Sequence, residues 1–474
     1  MAPAYYRIIT FLAVIGLLFT SCKKSFLDRE PYSGLPTDES IKNLDDLETA
    51  LNGAYANLRS PNLYGRTIPL YGDLFADNVY ISSINSNRYL DLFLVNITVS
   101  NTNAEGIWQS AYGTILNANN VIHNSLPPSA ASDQLKGEAL CLRALMYFEL
   151  VKHFSKPYTV DPNGLGVPLI LSRDPFLKPM RNTTAEVYAQ IQADLEQAIP
   201  LLTVQKSSAY FNRASAQALL ARMHQYKAEW SEALDLAEEV IFNSGYSLLG
   251  GNQFASYWSS NTPRNDGLET LFEVVFDLVG NAGNNSLAYF YDQVGYGDAL
   301  AAEGLYDLYS NDDIRKDLMV ITARVTNNDK AVNKYPNSSQ PDQDEFKVLR
   351  MSEVVLIAAE AAYHLNNEAL ALDYLNALAG QRIANFAGYS SSGPQLLADI
   401  MKERRLELAF EGHRYWDLAR YNMDVVRDDV AGNYSDLGAP LVIPATSTRR
   451  IFPIPQSELD ANPAIRPQQN QGYN

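Results

Sequence analysis

Apolar side chains recur every three or four residues along several long stretches of the chain. One such series runs through Leu140, Ala144, Tyr147, Val151 and Phe154. This spacing places the apolar side chains on one face of an α-helix. The same rhythm predicts neighbouring helix pairs joined by short polar turns: 108–124 with 134–154, 215–228 with 231–243, and 351–365 with 368–382. We therefore predict a mainly α-helical protein.

Small residues mark the positions where paired helices are expected to make close contact. They are Ala218, Ala221, Ala233 and Ala237 in the middle pair, and Ala358, Ala359, Ala361 and Ala362 in the last. Helix pairs with alanine at close contacts and a bulky Tyr or Trp near the turn resemble tetratricopeptide repeats, whose period is about 34 residues. The spacing here is not constant, so the repeats are degenerate and separated by insertions.

The insertions differ from the helices in composition. Residues 155–182 hold five prolines, residues 244–300 are rich in Gly, Asn, Ser and aromatic residues, and residues 325–345 are polar. Loops of this length usually carry function. The best strand candidate is 270–276. We predict a tetratricopeptide-like helical-pair scaffold with long, irregular, loop-rich ligand-binding insertions.

Residues 1–21 have the pattern of a cleaved secretion signal. The apolar run 8–19 follows Arg7 and is too short to span a bilayer, which needs about 20 residues. Small residues precede Cys22, as in a bacterial lipoprotein signal, so Cys22 is the predicted lipidation site and membrane anchor. The alternative is an ordinary signal peptide that ends near a cysteine. Cys141 is the one other cysteine, so an internal disulfide is not expected in the mature chain.

The chain is acidic, with 37 basic against 54 acidic residues and a net charge of −17. Nucleic acid and anionic lipid head groups both require a positively charged face. The charge therefore argues against nucleic acid as a partner and against membrane contact other than through the lipid on Cys22.

The segment 403–420 contains several carboxylates, and a glycosidase needs a pair of carboxylates, so an enzymatic function has to be considered for this segment. Its charges are Arg404, Glu407, Glu411, Arg414, Asp417 and Arg420, mostly opposite charges one helical turn apart. Such pairing holds carboxylates ionised and removes the general acid. Gly412 is expected to end one helix and begin the next. We interpret the segment as a structural ion-pair network.

No other catalytic arrangement is evident in the sequence. The five histidines lack zinc-ligand spacing, and there is no nucleophile motif or phosphate-binding glycine loop. The prediction is that the protein is not an enzyme and needs no cofactor. A calcium ion held by carboxylates and carbonyls remains an alternative. An enzyme built from carboxylates dispersed along the chain is another, since it would have no sequence motif.

The positive chemical signal lies in the aromatic residues: 29 Tyr, 18 Phe and 4 Trp. Sugar rings stack on aromatic rings, and their hydroxyls pair with planar polar groups. Two segments outside clear helices, 73–101 and 258–296, offer both kinds of group. The candidate ligand-binding residues are Asp73, Asp77, Tyr80, Arg88, Tyr89, Trp258, Tyr289, Tyr291 and Tyr296. The alternative is that the aromatic residues pack their loops on the scaffold and that Asp73 and Asp77 cap turns or helices.

A series of motifs in fixed order resembles the SusD/RagB family of outer-membrane lipoproteins over nearly the whole mature chain. They are CKKSFLDREP from Cys22, GDLFAD (72–77), IWQSAYGTILNANNVI (107–122), GLGVPL (164–169), VLRMSEVVLIAAEA (348–361), ERRLELAFEGHRYWDLAR (403–420), FPIPQSELDANP (452–463) and QNQGY (469–473). The sequence departs from the family at Gln471, where Pro is usual. The resemblance also implies that ligand aromatics come from the two segments named above.

The resemblance implies one SusD-like domain, 22–474, with an N-terminal half of about 22–230 and a C-terminal half of about 268–474. It also implies a protein on the outer face of the outer membrane, with the helical repeats facing a SusC-like TonB-dependent transporter. Such a protein captures oligosaccharides and delivers them to the transporter without chemical transformation. Peptide capture, as in the RagB branch, a surface glycoside hydrolase and a pure interaction scaffold are the alternatives.

Overall fold

The computed structural model of the protein describes residues 41–339 and 344–473. The predicted signal peptide and Cys22 lie outside these residues. Long helices dominate the described chain, and in chain order they are α1 (Leu44–Asn57), α2 (Thr102–Ile122), α3 (Ala130–Phe154), α4 (Thr184–Leu201), α5 (Arg213–Lys227), α6 (Trp230–Asn243), α7 (Met351–His364), α8 (Glu368–Ala379) and α9 (Gly393–Glu407).

Shorter elements connect the long helices. The short α-helices are Thr67–Leu74, Leu90–Phe93, Phe254–Trp258, Leu287–Tyr291, Glu303–Tyr306, Arg414–Arg420 and Gln456–Ala461. Turns of 3₁₀ helix span Gly251–Gln253, Gly283–Asn285, Ile314–Leu318, Val430–Gly432, Ser435–Leu437, Thr448–Arg450 and Arg466–Gln468. The strands are β1 (Val79–Ile81), β2 (Thr270–Val274), β3 (Ala299–Ala301), β4 (Met319–Thr322), β5 (Asp329–Val332), β6 (Phe346–Arg350), β7 (Val425–Val426) and β8 (Val442–Ile443).

Local sequence fixes where several of the helices begin and end. Ser129, Thr183 and Asn212 precede α3, α4 and α5, and each forms a reciprocal capping box with the third helical residue. A capping box satisfies backbone N–H groups that have no partner inside the helix. Ala228 adopts a left-handed conformation at the end of α5. The chain then turns directly into α6, which produces a helix pair.

Successive long helices pack against one another from α1 to α8. Residues 244–350 intervene between α6 and α7, yet these two helices are also in contact. Ala233, Ala237, Ala358 and Ala362 have no exposed surface, consistent with close helix contacts at the predicted alanines. The prediction of a helical-pair scaffold with insertions is confirmed.

The sheets are small, and the sequence revealed only one of their strands. A four-stranded sheet has the order β1-β3-β5-β4, and β2–β6 and β7–β8 form separate antiparallel pairs. The strand expected at 270–276 is β2. The strands of the four-stranded sheet span three or four residues, which is too short for a hydrophobic alternation to be recognised. This sheet lies outside the long helices and carries the loops of the candidate site.

The proline-rich segment 155–182 runs over α2 and α3. The Tyr112 hydroxyl donates to the Pro168 carbonyl at 2.8 Å, and the Asn119 side chain donates to the Ile170 carbonyl at 2.9 Å. At the end of the segment the Arg181 guanidinium donates to five acceptors, four of them backbone carbonyls. These bonds replace the backbone pairing that the segment lacks.

The charged residues of 403–420 form a buried network, as predicted, but with different partners. Gly412, at φ +81°, separates α9 from the helix Arg414–Arg420. Glu407 accepts hydrogen bonds from Arg315, Arg350 and Arg382, which all lie outside the segment. The expectation of partners one turn away holds for Asp417 with Arg420, at 2.9 Å. Glu411 pairs with Lys334 and Arg350, and Arg414 pairs with Asp77, all of which lie outside the segment. Arg404 pairs with Asp417 across the two helices of the segment, at 3.2 Å.

Among residues 41–339 and 344–473, no helix combines the length and apolar character needed to cross a membrane.

Candidate ligand-binding site

The first loop of the candidate site follows β1 and presents Arg88. Ser82 Oγ accepts a hydrogen bond from the backbone N–H of Ile84, and Asn85 Oδ1 accepts one from that of Asn87. Asn87 and Tyr89 both have positive φ, at 63° and 57°. A short polar side chain that bonds its own backbone stabilises this kind of tight turn. Arg88 therefore lies on a short, internally bonded loop, 82–89.

The second loop, 292–298, joins the helix Leu287–Tyr291 to β3. The Tyr296 N–H donates to the Tyr289 carbonyl at 3.0 Å and closes the loop. A Cβ at Gly295 would lie 2.4 Å from the same carbonyl, so only glycine fits there. Asp298 accepts hydrogen bonds from the Ser86 backbone N–H, at 3.0 Å, and from the Ser86 hydroxyl. These bonds join the two loops.

The two loops bring three of the predicted residues together at the surface. The Arg88 guanidinium carbon lies 3.8 Å from the Tyr296 ring centroid, and Nη2 donates to the Tyr296 hydroxyl at 2.9 Å. The rings of Tyr289 and Tyr296 are perpendicular, with centroids 5.0 Å apart. All three side chains are partly exposed. This arrangement offers an aromatic surface beside hydrogen-bond donors.

Apolar side chains on the same two loops extend the surface. Ile84 is 55% exposed and Val294 is 92% exposed. An exposed apolar side chain is common by itself, but here two lie on the loops that also carry a partly exposed ring and a guanidinium, a mixture typical of a ligand site.

Arg324, in the turn between β4 and β5, was not among the predicted residues. Its Nη2 donates to the Tyr296 carbonyl at 2.7 Å and to the Ile84 carbonyl at 2.9 Å. It thereby holds both loops from a third. Its position in a polar stretch gave no periodic or motif signal, because only the tertiary fold brings residue 324 to residues 84 and 296.

The two predicted aspartates are buried and have structural partners. Asp73 accepts from the Asn78 side chain and from the Gly412 N–H, each at 2.7 Å, and burial raises its pKa to about 6. Asp77 accepts two bonds from Arg414, at 2.7 and 2.9 Å. Burial acts to raise the pKa of Asp77, but Arg405 and Arg414 outweigh it and lower the pKa below its ordinary value. Both carboxylates join the N-terminal part of the chain to the 403–420 segment.

Tyr80 and Tyr89 are also buried. Tyr80 lies in β1, with its hydroxyl 3.5 Å from an Asp329 oxygen. The Tyr89 hydroxyl receives a hydrogen bond from Arg66 Nε at 2.8 Å, and its ring meets that of Phe290 edge to face at 5.2 Å. These residues support the first loop from beneath.

Trp258 and Tyr291 lie in the interior as well. Trp258 packs in a small cluster with Leu249, Phe254 and Tyr257. Tyr291 is 1% exposed, and its hydroxyl has no hydrogen-bond partner among the described residues.

The structure thus divides the nine predicted residues. Asp73, Asp77, Tyr80, Tyr89, Trp258 and Tyr291 pack the loops or pair with interior groups, so their surfaces are not available to a ligand in this conformation. The sequence could not distinguish these buried residues from exposed ones, because aromatic residues that pack a loop and those that bind a ligand occur in segments of the same composition. Ligand contact stays a prediction for Arg88, Tyr289 and Tyr296.

Within the described part of the chain, no group of three or more His, Cys, Asp or Glu side chains is arranged to hold a metal ion.

Comparison with known proteins gives a consistent assignment. A family profile described as "SusD family" matches residues 285–473, and one described as "Starch-binding associating with outer membrane" matches residues 25–225. SusD-like protein P38 of Formosa agariphila is 25% identical over 98% of both chains.

Solved structures give the same picture. A SusD superfamily protein from Bacteroides thetaiotaomicron is 30% identical, with a TM-score of 0.82, and the match covers 90% of this chain and 100% of that one. Surface glycan-binding protein A of the same species, solved in complex with laminarihexaose, shares the fold, with 21% identity, a TM-score of 0.70 and coverage of 88% and 97%. The motif order, the helical scaffold and these matches together establish that the chain belongs to the SusD/RagB family.

Proposed function

We propose that this protein is a surface-exposed, lipid-anchored glycan-binding protein that captures oligosaccharides without transforming them. It passes them to a SusC-like TonB-dependent transporter in the outer membrane. The observation that carries the proposal is the convergence of Arg88, Tyr289 and Tyr296 at the surface, from loops about 200 residues apart in sequence.

The site has the chemistry that sugars require. A sugar ring packs its C–H face against the partly exposed Tyr289 ring, and the Arg88 guanidinium donates hydrogen bonds to its hydroxyl or ring oxygens. Binding of this kind needs no nucleophile, general acid or metal. The family membership and the glycan complex of a structural neighbour support the same conclusion.

Isothermal titration against a panel of oligosaccharides tests the proposal, with reaction products followed by chromatography in parallel. We expect a glycan to bind and to be recovered intact. Tyr289→Ala should weaken binding about fivefold, since one aromatic contact contributes on the order of 1 kcal/mol. Phe176→Ala is the matched control, because Phe176 is 83% exposed on the segment that covers α2 and α3. Turnover of the sugar by purified protein contradicts the non-enzymatic part of the proposal.

The proposed domain organisation is a cleaved signal at 1–21 and one SusD-like domain over 22–474, with halves of about 22–230 and 268–474. The two profile matches, 25–225 and 285–473, support the halves, and the packing of α6 on α7 supports a single domain. Cys22 is the proposed acylation site. Cys22→Ser should abolish incorporation of labelled fatty acid and release the protein from the membrane fraction.

Exposure at the cell exterior and the transporter partner have their own tests. Protease added to intact cells should degrade the wild-type protein, whereas a periplasmic control protein survives. When the wild-type protein is purified in mild detergent, an outer-membrane channel should co-purify with it. A protease-protected protein that brings down no channel would contradict this part of the proposal.

A peptide-capture function receives less support. An acidic groove that prefers basic peptides would favour it, whereas the converging residues include two arginines.

A further inference from the structure

The arginines of the candidate site differ from most buried arginines of this acidic protein. Arg143 and Arg315 pair with Asp194 and Asp313 at 2.6 and 2.7 Å, and Arg222 pairs with Glu353. Arg88 and Arg324 have no carboxylate oxygen within 4.0 Å among residues 41–339 and 344–473; their partners are the Tyr296 hydroxyl and backbone carbonyls. The chain has a net charge of −17, yet two guanidinium groups that lack a carboxylate partner in its described part both bond Tyr296.

The aspartates of the same loops are already satisfied by neutral donors. Asp298, 1% exposed, accepts from Ser86, and Asp329, 6% exposed, accepts from the Val325 and Thr326 N–H groups at 2.6 and 2.9 Å. Asp292, partly exposed, accepts from the Val294 N–H at 2.9 Å and from the Ser338 hydroxyl. None of these carboxylates lies within ion-pair distance of Arg88 or Arg324. Because hydrogen bonds from neutral groups already satisfy these carboxylates, the positive charge of Arg88 stays available to a ligand.

The hydrogen bonds of each arginine assign it a separate role. Arg324 donates from Nε and Nη2 to the backbone carbonyls of Ile84 and Tyr296 and so holds the two loops together. Arg88 spends Nη2 on the Tyr296 hydroxyl, while its Nε and Nη1 have no acceptor in the described chain. Stacking on the Tyr296 ring holds the guanidinium plane in a fixed orientation. A guanidinium held in a fixed orientation, with its charge and two N–H groups still available, attracts the oxygens of a carboxylate or sulfate group.

We propose that this site selects an anionic oligosaccharide, one that carries carboxylate or sulfate groups, and that Arg88 binds the anionic group. The inference rests on the proposed glycan-binding function and narrows its ligand class. Tyr289 contacts the sugar ring beside the charged group, and Arg324 adds a second positive charge where it joins the same two loops.

Two matched pairs of ligands test the inference by isothermal titration. The carboxylate pair is an oligogalacturonate and its fully methyl-esterified form. The sulfate pair is a sulfated galactan oligosaccharide and its desulfated form. We expect the charged member of one pair to bind about tenfold more tightly than its neutral partner, as a charge-assisted hydrogen bond predicts. The pair that shows the difference identifies the anionic group.

Arg88→Gln should abolish the difference within the pair, and Arg88→Lys should keep part of it, because lysine keeps the charge and loses the planar guanidinium that stacks on Tyr296. Arg213→Gln is the matched control, since Arg213 is exposed at the start of α5. Thermal melting shows that each variant is folded. A charge preference that survives Arg88→Gln in folded protein overturns the inference.

The two proposals fail in different ways. Equal or tighter binding of the neutral members overturns the anionic preference and leaves glycan capture standing. Absence of binding to all four ligands and to the wider glycan panel overturns both.

Discussion

The Arg324 guanidinium donates to the carbonyl oxygen of Tyr296 at 2.7 Å, and this bond fixes the residue on which Arg88 stacks. Arg324 also donates to the Ile84 carbonyl at 2.9 and 3.2 Å, so one side chain holds two loops that are separated by more than 200 residues in sequence. A binding site assembled from loops needs such supports, because loops lack the backbone ladders of helices and sheets.

Replacing Arg324 should weaken ligand binding even though its donors are used within the protein. Arg324→Gln removes the bonds to Ile84 and Tyr296 and lets the loops move relative to one another. We expect glycan affinity to fall roughly threefold to tenfold, the effect of one or two lost hydrogen bonds. Titration measures the affinity, and Arg213→Gln controls for the charge change. Unchanged affinity in folded Arg324→Gln protein would show that the loops hold their geometry without this residue.

The backbone contact between Gly72 and Gly412 should make both positions intolerant of alanine. A Cβ on Gly72 would lie 2.0 Å from the Gly412 carbonyl oxygen, and one on Gly412 would lie 2.8 Å from the Pro69 Cα and carbonyl oxygen. Gly412 also has φ +81°, which penalises any side chain. We expect Gly72→Ala to lower the free energy of unfolding by about 3 kcal/mol or more, measured by urea denaturation.

Gly53→Ala is the control for that prediction. Gly53 lies inside α1 with no atom near its would-be Cβ, so alanine should raise the free energy of unfolding by up to about 1 kcal/mol. Similar changes in the free energy of unfolding for Gly53→Ala and Gly72→Ala would contradict the close backbone contact between Gly72 and Gly412.

The helical scaffold was predictable because its signals are local. The recurrence of apolar residues every three or four positions predicted α3, α5, α6, α7 and α8 to within a few residues of their observed ends. Gly412 marked a helix boundary. The four-stranded sheet was not predictable, since its strands are too short to show a period and pair across long stretches of sequence. The buried partners of Glu407 were not predictable either, because these arginines lie far from it in sequence and only the tertiary fold brings them together.

The candidate site was only partly predictable from composition. The two segments contain Arg88, Tyr289 and Tyr296, but they also contain Asp77 and Trp258, which the fold buries. Burial depends on which loop covers which, and that information is not in the local sequence. Arg324 carried no local signal at all.

Two buried glutamates should respond to pH in opposite directions. Burial raises the pKa of Glu345 to about 8, with Lys347, 3.9 Å away, opposing the shift and Glu273 and Asp344 adding to it. Because the folded pKa is raised, Glu345 makes the protein less stable as pH rises from about 4.5 to about 8. Glu345→Gln stays neutral, so its melting temperature should exceed that of wild type at pH 8, and this advantage should shrink as pH falls to 4.5.

Glu407 provides the contrasting case. Burial acts to raise its pKa, but Arg382, Arg350 and Arg315 outweigh burial and hold the pKa well below its ordinary value. Its stabilising contribution is therefore present above pH 4.5 and is lost as pH falls further. Glu407→Gln should cost about 3–5 kcal/mol of unfolding free energy at pH 7, because three buried arginines lose their shared carboxylate. Thermal melts across pH 4–8 check both glutamates, and parallel pH profiles for the two variants would contradict the assignment.

Tyr291 should prove dispensable for ligand binding although its sequence position suggested a contact. Its ring packs against Tyr335 with centroids 6.4 Å apart, while its buried hydroxyl lacks a hydrogen-bond partner in the described chain. Tyr291→Phe removes a polar group that the fold leaves unsatisfied, so the free energy of unfolding should stay the same or rise by up to about 1 kcal/mol. Glycan affinity, measured by titration, should be unchanged.

The matched control is Tyr64→Phe. The Tyr64 hydroxyl donates to buried Glu149 at 3.0 Å, so this variant should lose about 1.5–3 kcal/mol. A loss of glycan affinity in Tyr291→Phe, with stability intact, would place that hydroxyl in contact with the ligand. It would also show that the binding conformation opens the interior beneath the second loop.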